Sequence, residues 1–148
     1  MSTPESGGAG DGRELGRFVV RTAPERIAAF RASIAAIFPA AAPESAAAPV
    51  EAAVPPTFPI VWLAEPEVRG ALLAALGIDP FAGGAALIHL EQRIAYFAPL
   101  EPGRAFEAAV RLSRPAPERA TVSVEVRDAE GSIAVRLASE FLLRGAEP

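Results

Sequence analysis

The only histidine of the chain, His89, lies in the string Ile88-His89-Leu90-Glu91-Gln92-Arg93. A histidine and a carboxylate this close are raw material for general acid–base chemistry, because each can exchange a proton with a substrate held between them. Asp79 lies ten positions ahead of His89, just past Gly77, and is a second acid that a fold could bring to the imidazole. In regular strand geometry His89, Glu91 and Arg93 point the same way. Such a row either lines a wet groove or forms an ordinary solvated face with cross-strand partners such as Glu107 and Arg111.

Other chemistry is excluded by what the chain lacks. It has no Cys, so no thiolate nucleophile, disulfide or cysteine-based zinc site is possible. A Ser–His–Asp triad would have to be built on His89, and there is no Gly-x-Ser-x-Gly elbow. The carboxylates are not clustered, so no metal is expected, and Gly83-Gly84 lacks the spacing of a phosphate loop, so no cofactor is expected. The net charge is -4, there is no Lys, and the Arg residues are scattered. Nucleic acid needs a clustered positive face and is not expected as a partner.

The elements that would position these groups follow from pattern. Arg17 to Arg21 is a β-rich run, and Thr22-Ala23-Pro24-Glu25 reads as a capping box opening a helix. Ile27, Phe30, Ile34 and Ile37 continue it at helical spacing to about Phe38. Pro39 to Val54 is Ala/Pro-rich and reads as a loop. Pro66 to Leu76 predicts a second helix that Gly77 stops, with Val68, Leu72, Leu73 and Leu76 inside and only Glu67 and Arg69 as charges. A helix so apolar is expected to be buried. The remainder alternates as strands. In Leu87 to Phe97 the pattern puts Ile88, Leu90, Ile94 and Tyr96 on one face. Phe106 to Leu112, Val122 to Val126 and Ile133 to Leu143 follow, with Asp128-Ala129-Glu130-Gly131 as a hairpin turn. The expected class is α+β, a sheet covered on one face by helix.

At 148 residues the chain is long enough for one domain with a core. The expected organisation is a tail over residues 1–14, one domain over 15–145 containing the 39–54 loop, and a tail over 146–148. Met1 to Asp11 has neither the charge nor the apolar stretch of a signal peptide. The most apolar stretch, Phe38 to Ala64, is broken by Glu44, Glu51 and prolines, so no membrane segment is expected. The expected location is the cytoplasm.

Two strings carry a family resemblance: Pro55-Pro56-Thr57-Phe58-Pro59, and His89-Leu90-Glu91-Gln92 with Tyr96-Phe97-Ala98-Pro99-Leu100 and Gly103 after it. Together they resemble the N-terminal-type domain of MaoC-like dehydratases, the partner half of (R)-specific 3-hydroxyacyl-thioester dehydratases. That family shows Pro-Pro-Thr-Phe-Pro ahead of its central helix, then His-Gly-Glu-Gln, an aromatic-rich strand, Pro-Leu and Gly-Asp. Here Leu90 stands where Gly is usual and Arg104 where Asp is usual. The similarity spans roughly Leu15 to Gly145.

The resemblance implies a hotdog fold, a curved antiparallel sheet wrapped around a central helix, pairing edge to edge as a homodimer or as a heterodimer. It implies an acyl-CoA or acyl-carrier-protein thioester as ligand. It also implies that catalysis lies elsewhere. Active domains carry an Asp and a His before the central helix, and Phe38 to Val54 contains neither, only Glu44 and Glu51. The chain then reads as a non-catalytic subunit of a 3-hydroxyacyl-thioester dehydratase, a lyase of fatty acid metabolism whose Asp/His dyad comes from a partner. The alternative is a self-sufficient hotdog thioesterase or hydratase using His89, Glu91 or Asp79. A module that binds no thioester is the third class. Candidate substrate contacts are Pro56, Thr57, Phe58, Trp62, His89 and Tyr96, with Phe81 as a further aromatic. Each has a structural reading too: His89 as a strand histidine with a cross-strand neighbour, Thr57 in a rigid proline turn, the aromatics as core.

Overall fold

The structure, a computed structural model, describes residues 12–37, 54–79 and 81–145. Of the segment read as an Ala/Pro loop, only Val54 falls within these residues. The elements run β1 (Arg13–Arg21), α1 (Pro24–Ile37), a 3-10 helix (Phe58–Ala64), α2 (Pro66–Leu76), β2 (Ala86–Tyr96), β3 (Ala105–Ala116), β4 (Arg119–Arg127) and β5 (Ile133–Arg144). The strands form one sheet in the order β1-β3-β4-β5-β2. Every neighbouring pair is antiparallel. Two strands, β1 and β2, are therefore edges.

The alternation read from the sequence holds through the centre of the sheet. Phe106, Ala108, Val110 and Leu112 on β3, Val122, Val124 and Val126 on β4, and Val135, Leu137, Phe141 and Leu143 on β5 are all buried. Their neighbours make the opposite face, where Glu125 accepts from Arg127 and Arg136. Against the buried face lies α2. Its apolar stripe Val68, Leu72 and Leu76 is buried, while Glu67, Arg69 and Gly70 are exposed. Each such side chain removed from water is worth roughly 1.5–3 kcal/mol. Pro66 opens α2 without losing a helical hydrogen bond. Gly77 ends it in the left-handed conformation at φ 69°. Gly77 N donates to Ala74 O at 3.2 Å and buried Ile78 N to Leu73 O at 2.9 Å, so the last carbonyls are satisfied as the chain turns away.

Beside α2 the 3-10 helix packs into part of the sheet's concavity. Phe58 is 0% and Trp62 2% exposed, their rings edge to face at 6.1 Å. Trp62 Nε1 donates to Arg21 O at 3.1 Å, tying this helix to the end of β1.

Two expectations are corrected. Thr22 does not cap α1. Its side chain is 0% exposed and is bound to the turn between β2 and β3. The hydroxyl donates to Glu101 O at 2.6 Å and accepts from Arg104 N at 3.0 Å. Thr22 N donates to Arg104 O and Thr22 O accepts from Gly103 N, so one residue ties two distant segments through both backbone and side chain. The non-local partners outcompete the local cap because the hydroxyl is buried and has to be satisfied there. Second, α1 is less buried than its spacing suggests. Ile27 is buried and Phe30 half-buried against Phe58, but Ile34 and Ile37 are exposed, Ile37 at 69%.

Replacing Thr22 with Val keeps shape and removes the hydroxyl, leaving Arg104 N and Glu101 O to find other partners. T22V is expected to lower unfolding free energy by about 1–3 kcal/mol, while T22S stays within about 1 kcal/mol of the parent. Urea unfolding followed by the fluorescence of Trp62, the chain's single Trp, checks both.

Candidate functional site

The site grows from an irregularity in β2. His89 lies opposite Phe141 of β5, and the next paired residue, Glu91, lies opposite Glu140. Leu90 is therefore an extra residue, a β-bulge. Side chains along a strand alternate with period two, so one extra residue exchanges the faces of everything after it. Before the bulge, Leu87 and His89 face inward with Leu143 and Phe141. After it, Gln92, Ile94 and Tyr96 face inward with Ser139, Leu137 and Val135. Glu91 and Arg93 face outward. The expected common face of His89, Glu91 and Arg93 is thus overturned, as is that of Ile88 and Leu90 with Ile94 and Tyr96. Ile88 and Leu90 are each 44% exposed. The bulge falls at the position where the resembled family has Gly.

His89 stacks on Phe141 with ring centroids 4.9 Å apart and planes 24° from parallel. Its Nε2 is 2.9 Å from the carbonyl oxygen of Glu91. A carbonyl only accepts, so Nε2 carries the proton in this contact, and in the neutral ring Nδ1 is the acceptor. No described residue hydrogen-bonds Nδ1. The side chain of Glu91 is engaged on the other face, where Oε1 accepts from Arg93 Nε at 2.7 Å. That contact raises the guanidinium pKa of Arg93 further above its usual value. Asp79 does not reach His89: its Oδ1 accepts from Phe81 N at 2.9 Å in a tight turn.

Beside His89 a cleft of about 450 Å³ opens between α2, the 3-10 helix and β2. It lies within the size range of small-molecule sites. Ile60, Leu63 and Ala64 form one wall and Arg69, Leu72 and Leu73 another. Ile78 and Ala85 close the end, and Leu87, His89 and Phe141 form the sheet side. Among the described residues the lining is apolar except for His89 and Arg69, with no carboxylate. Next along the inner face, fully buried Ser139 donates from Oγ to Gln92 Oε1 at 2.5 Å, which fixes the amide.

Of the residues singled out from sequence, only His89 lines this cleft. Phe58 and Trp62 are core, Thr57 is exposed at the start of the 3-10 helix, and Phe81 is 94% exposed. Pro56 and Tyr96 are brought together, the phenol donating to the Pro56 carbonyl, so the proline string is clasped to the far end of β2. Arg69 and Phe141 were missed as site residues. Arg69 had one visible signal, a lone cation on a helix otherwise apolar beyond Glu67.

No protein-family model matches the chain, and no curated protein matches it by sequence. Solved structures do resemble it. One chain of a C-terminally truncated HadBC complex, a 3R-hydroxyacyl-ACP dehydratase from Mycobacterium tuberculosis, superposes with a TM-score of 0.63 at 16% identity, covering 90% of this chain and 98% of that one. A 1,4-dihydroxy-2-naphthoyl-CoA thioesterase from Synechocystis gives 0.57 at 12% identity over 88% of this chain and 82% of that one. A hot-dog-like protein from Thermanaerovibrio acidaminovorans gives 0.52 at 13% identity over 91% and 83%. The fold is the hotdog fold, as expected from the sequence. Among the described residues no helix is long and apolar enough to cross a membrane.

Tyr96 is the chain's single Tyr, so tyrosinate absorbance reports it alone. Burial pushes its phenol pKa upward, and the hydrogen bond to Pro56 also needs the proton. An acid with a raised folded pKa contributes stability that is present below the unfolded pKa and lost as pH rises through the folded one. Ultraviolet titration of the native chain is expected to show a midpoint above that of the chain in denaturant. Coincident midpoints would contradict the clasp.

Proposed function

We propose that this chain is the thioester-binding subunit of a 3-hydroxyacyl-thioester dehydratase, of the MaoC-like N-terminal type. It would act in the cytoplasm on an acyl-CoA or acyl-carrier-protein substrate. A hotdog partner would supply the Asp/His dyad. The observation that carries this reading is the content of the cleft. Dehydration needs one group to remove a proton and a second to help the hydroxyl leave as water. Among the described residues the cleft offers His89 for proton transfer and no acid beside it, since Glu91 faces outward and Asp79 is held in its own turn. An apolar cleft with a few polar groups suits an acyl or pantetheine chain.

The partner reading rests on β2. As an edge strand it offers unpaired backbone groups, and Ile88, Leu90 and Phe97 are exposed on or next to it. Such an edge favours pairing with another chain. His89 sits on this strand, so a partner docked there would stand beside the cleft.

A second reading has one observation in its favour, the open Nδ1 of His89. A self-sufficient thioesterase or hydratase would use that lone pair as its general base.

The two readings separate in one assay. The pure chain is expected to leave 3-hydroxyacyl-CoA unchanged, while a mixture with a dyad-bearing hotdog subunit dehydrates it. H89A in the mixture is expected to change turnover by less than about tenfold, because His89 would only line the cleft. Activity of the pure chain that falls by about a hundredfold or more in H89A would establish the second reading instead.

A further inference from the structure

We propose that Arg69 is the anion anchor of the cleft, and that it takes the phosphate of the 4′-phosphopantetheine arm shared by coenzyme A and acyl-carrier-protein thioesters. The inference rests on the thioester reading and deepens it. One turn before Arg69, at the N-terminal cap of α2, is Glu65, the natural ion-pair partner at four-residue spacing. Glu65 is instead engaged by Arg26 of α1. Among the described residues no side chain or carbonyl takes the Arg69 guanidinium. Among the described residues that line the cleft with Arg69 there is no carboxylate, although the chain as a whole carries a net charge of -4. The wall around it is leucine and isoleucine.

An apolar cleft whose described lining holds an unpaired guanidinium and no acid complements a ligand that is apolar or weakly polar along its length and anionic at one point. A 4′-phosphopantetheine thioester fits that description because its arm ends in a phosphate. The planar guanidinium donates two parallel N–H groups to phosphate oxygens and gives up its hydration more readily than an ammonium. The occupied Glu65 matters as much as Arg69 itself. Were it free, it would neutralise the anchor from within the same helix.

The test compares S-hexanoyl-4′-phosphopantetheine with S-hexanoylpantetheine by calorimetry on the full chain, with hexanoyl-CoA as a third ligand. The parent chain is expected to bind both phosphorylated ligands at least about tenfold tighter than the dephosphorylated one. R69Q is expected to lose that preference and R69K to keep part of it. R26Q leaves Arg69 in place but frees Glu65, and is expected to weaken the preference in the same direction. An arginine that only covered apolar surface with its stem would be indifferent to the phosphate. If the parent chain binds all three ligands equally, or R69Q keeps the full preference, the anchor is wrong while the thioester reading stands. If the parent binds none of them, the thioester reading fails and takes the anchor with it.

Discussion

The arrangement of the site depends on one extra residue in β2. A strand paired regularly with β5 from end to end could not place both His89 and Gln92 on the concave side, because they are three positions apart and side chains alternate. With Leu90 bulged, both face inward and Glu91 faces out. The local carbonyl of Glu91 then lies within 2.9 Å of His89 Nε2, so the irregularity that turns the imidazole inward also supplies its hydrogen-bond acceptor. Phe141 completes the constraint by stacking on the ring from the paired strand. Backbone register, tautomer and ring orientation are thus set by one feature.

The concavity is filled unevenly, and this decides where a ligand could go. Toward β1 the space between sheet and helices is occupied by Phe58, Trp62 and Val68 against Val20, Ala108 and Val110, all buried. The indole is held by the Arg21 carbonyl, and the rings of Phe30, Phe58 and Trp62 meet edge to face. Toward β2, by contrast, His89 and Leu87 stand apart from α2, and the cleft opens there. A residue that closes one end of a hotdog interior is core by its contacts, even when its string resembles a ligand-binding motif. Pro56 to Pro59 lead into this packed end, clasped to β2 through Tyr96.

Much of the fold was legible because it follows from period and punctuation. Helix α2 was readable from Pro66, the stripe Val68, Leu72 and Leu76, and the left-handed stop at Gly77. Strands β3 to β5 were readable because each buries one face. The bulge was not, since Ile88, Leu90, Ile94 and Tyr96 mimic one alternating face, interrupted by Gln92 alone, and nothing local marks Leu90 as unpaired. The role of Thr22 was hidden for a related reason. Its sequence neighbours form a convincing capping box, while its real partners, Glu101 and Arg104, are some 80 positions away. The cleft shows both sides of this. His89 stood out by composition alone, but Phe141 and Arg69 join it only through sheet pairing and helix packing, which local pattern does not encode.

The charge pattern bears on the same division. On the outer face of the sheet, acids and arginines neutralise one another: Glu125 with Arg127 and Arg136, Glu107 with Arg17, Glu91 with Arg93. Such exposed pairs add little stability. Their consequence lies in where they leave charge unpaired. The bulge sends Glu91 to that outer face, and Arg26 holds Glu65 away from Arg69. Two carboxylates close to the cleft in sequence are thereby kept out of it. Among the described residues a proton-transfer partner for His89 and a counter-ion for Arg69 are missing from the same cavity for two separate structural reasons. On the reading proposed above, such a site would attract an anionic thioester and leave the second catalytic acid to a partner at the β2 edge.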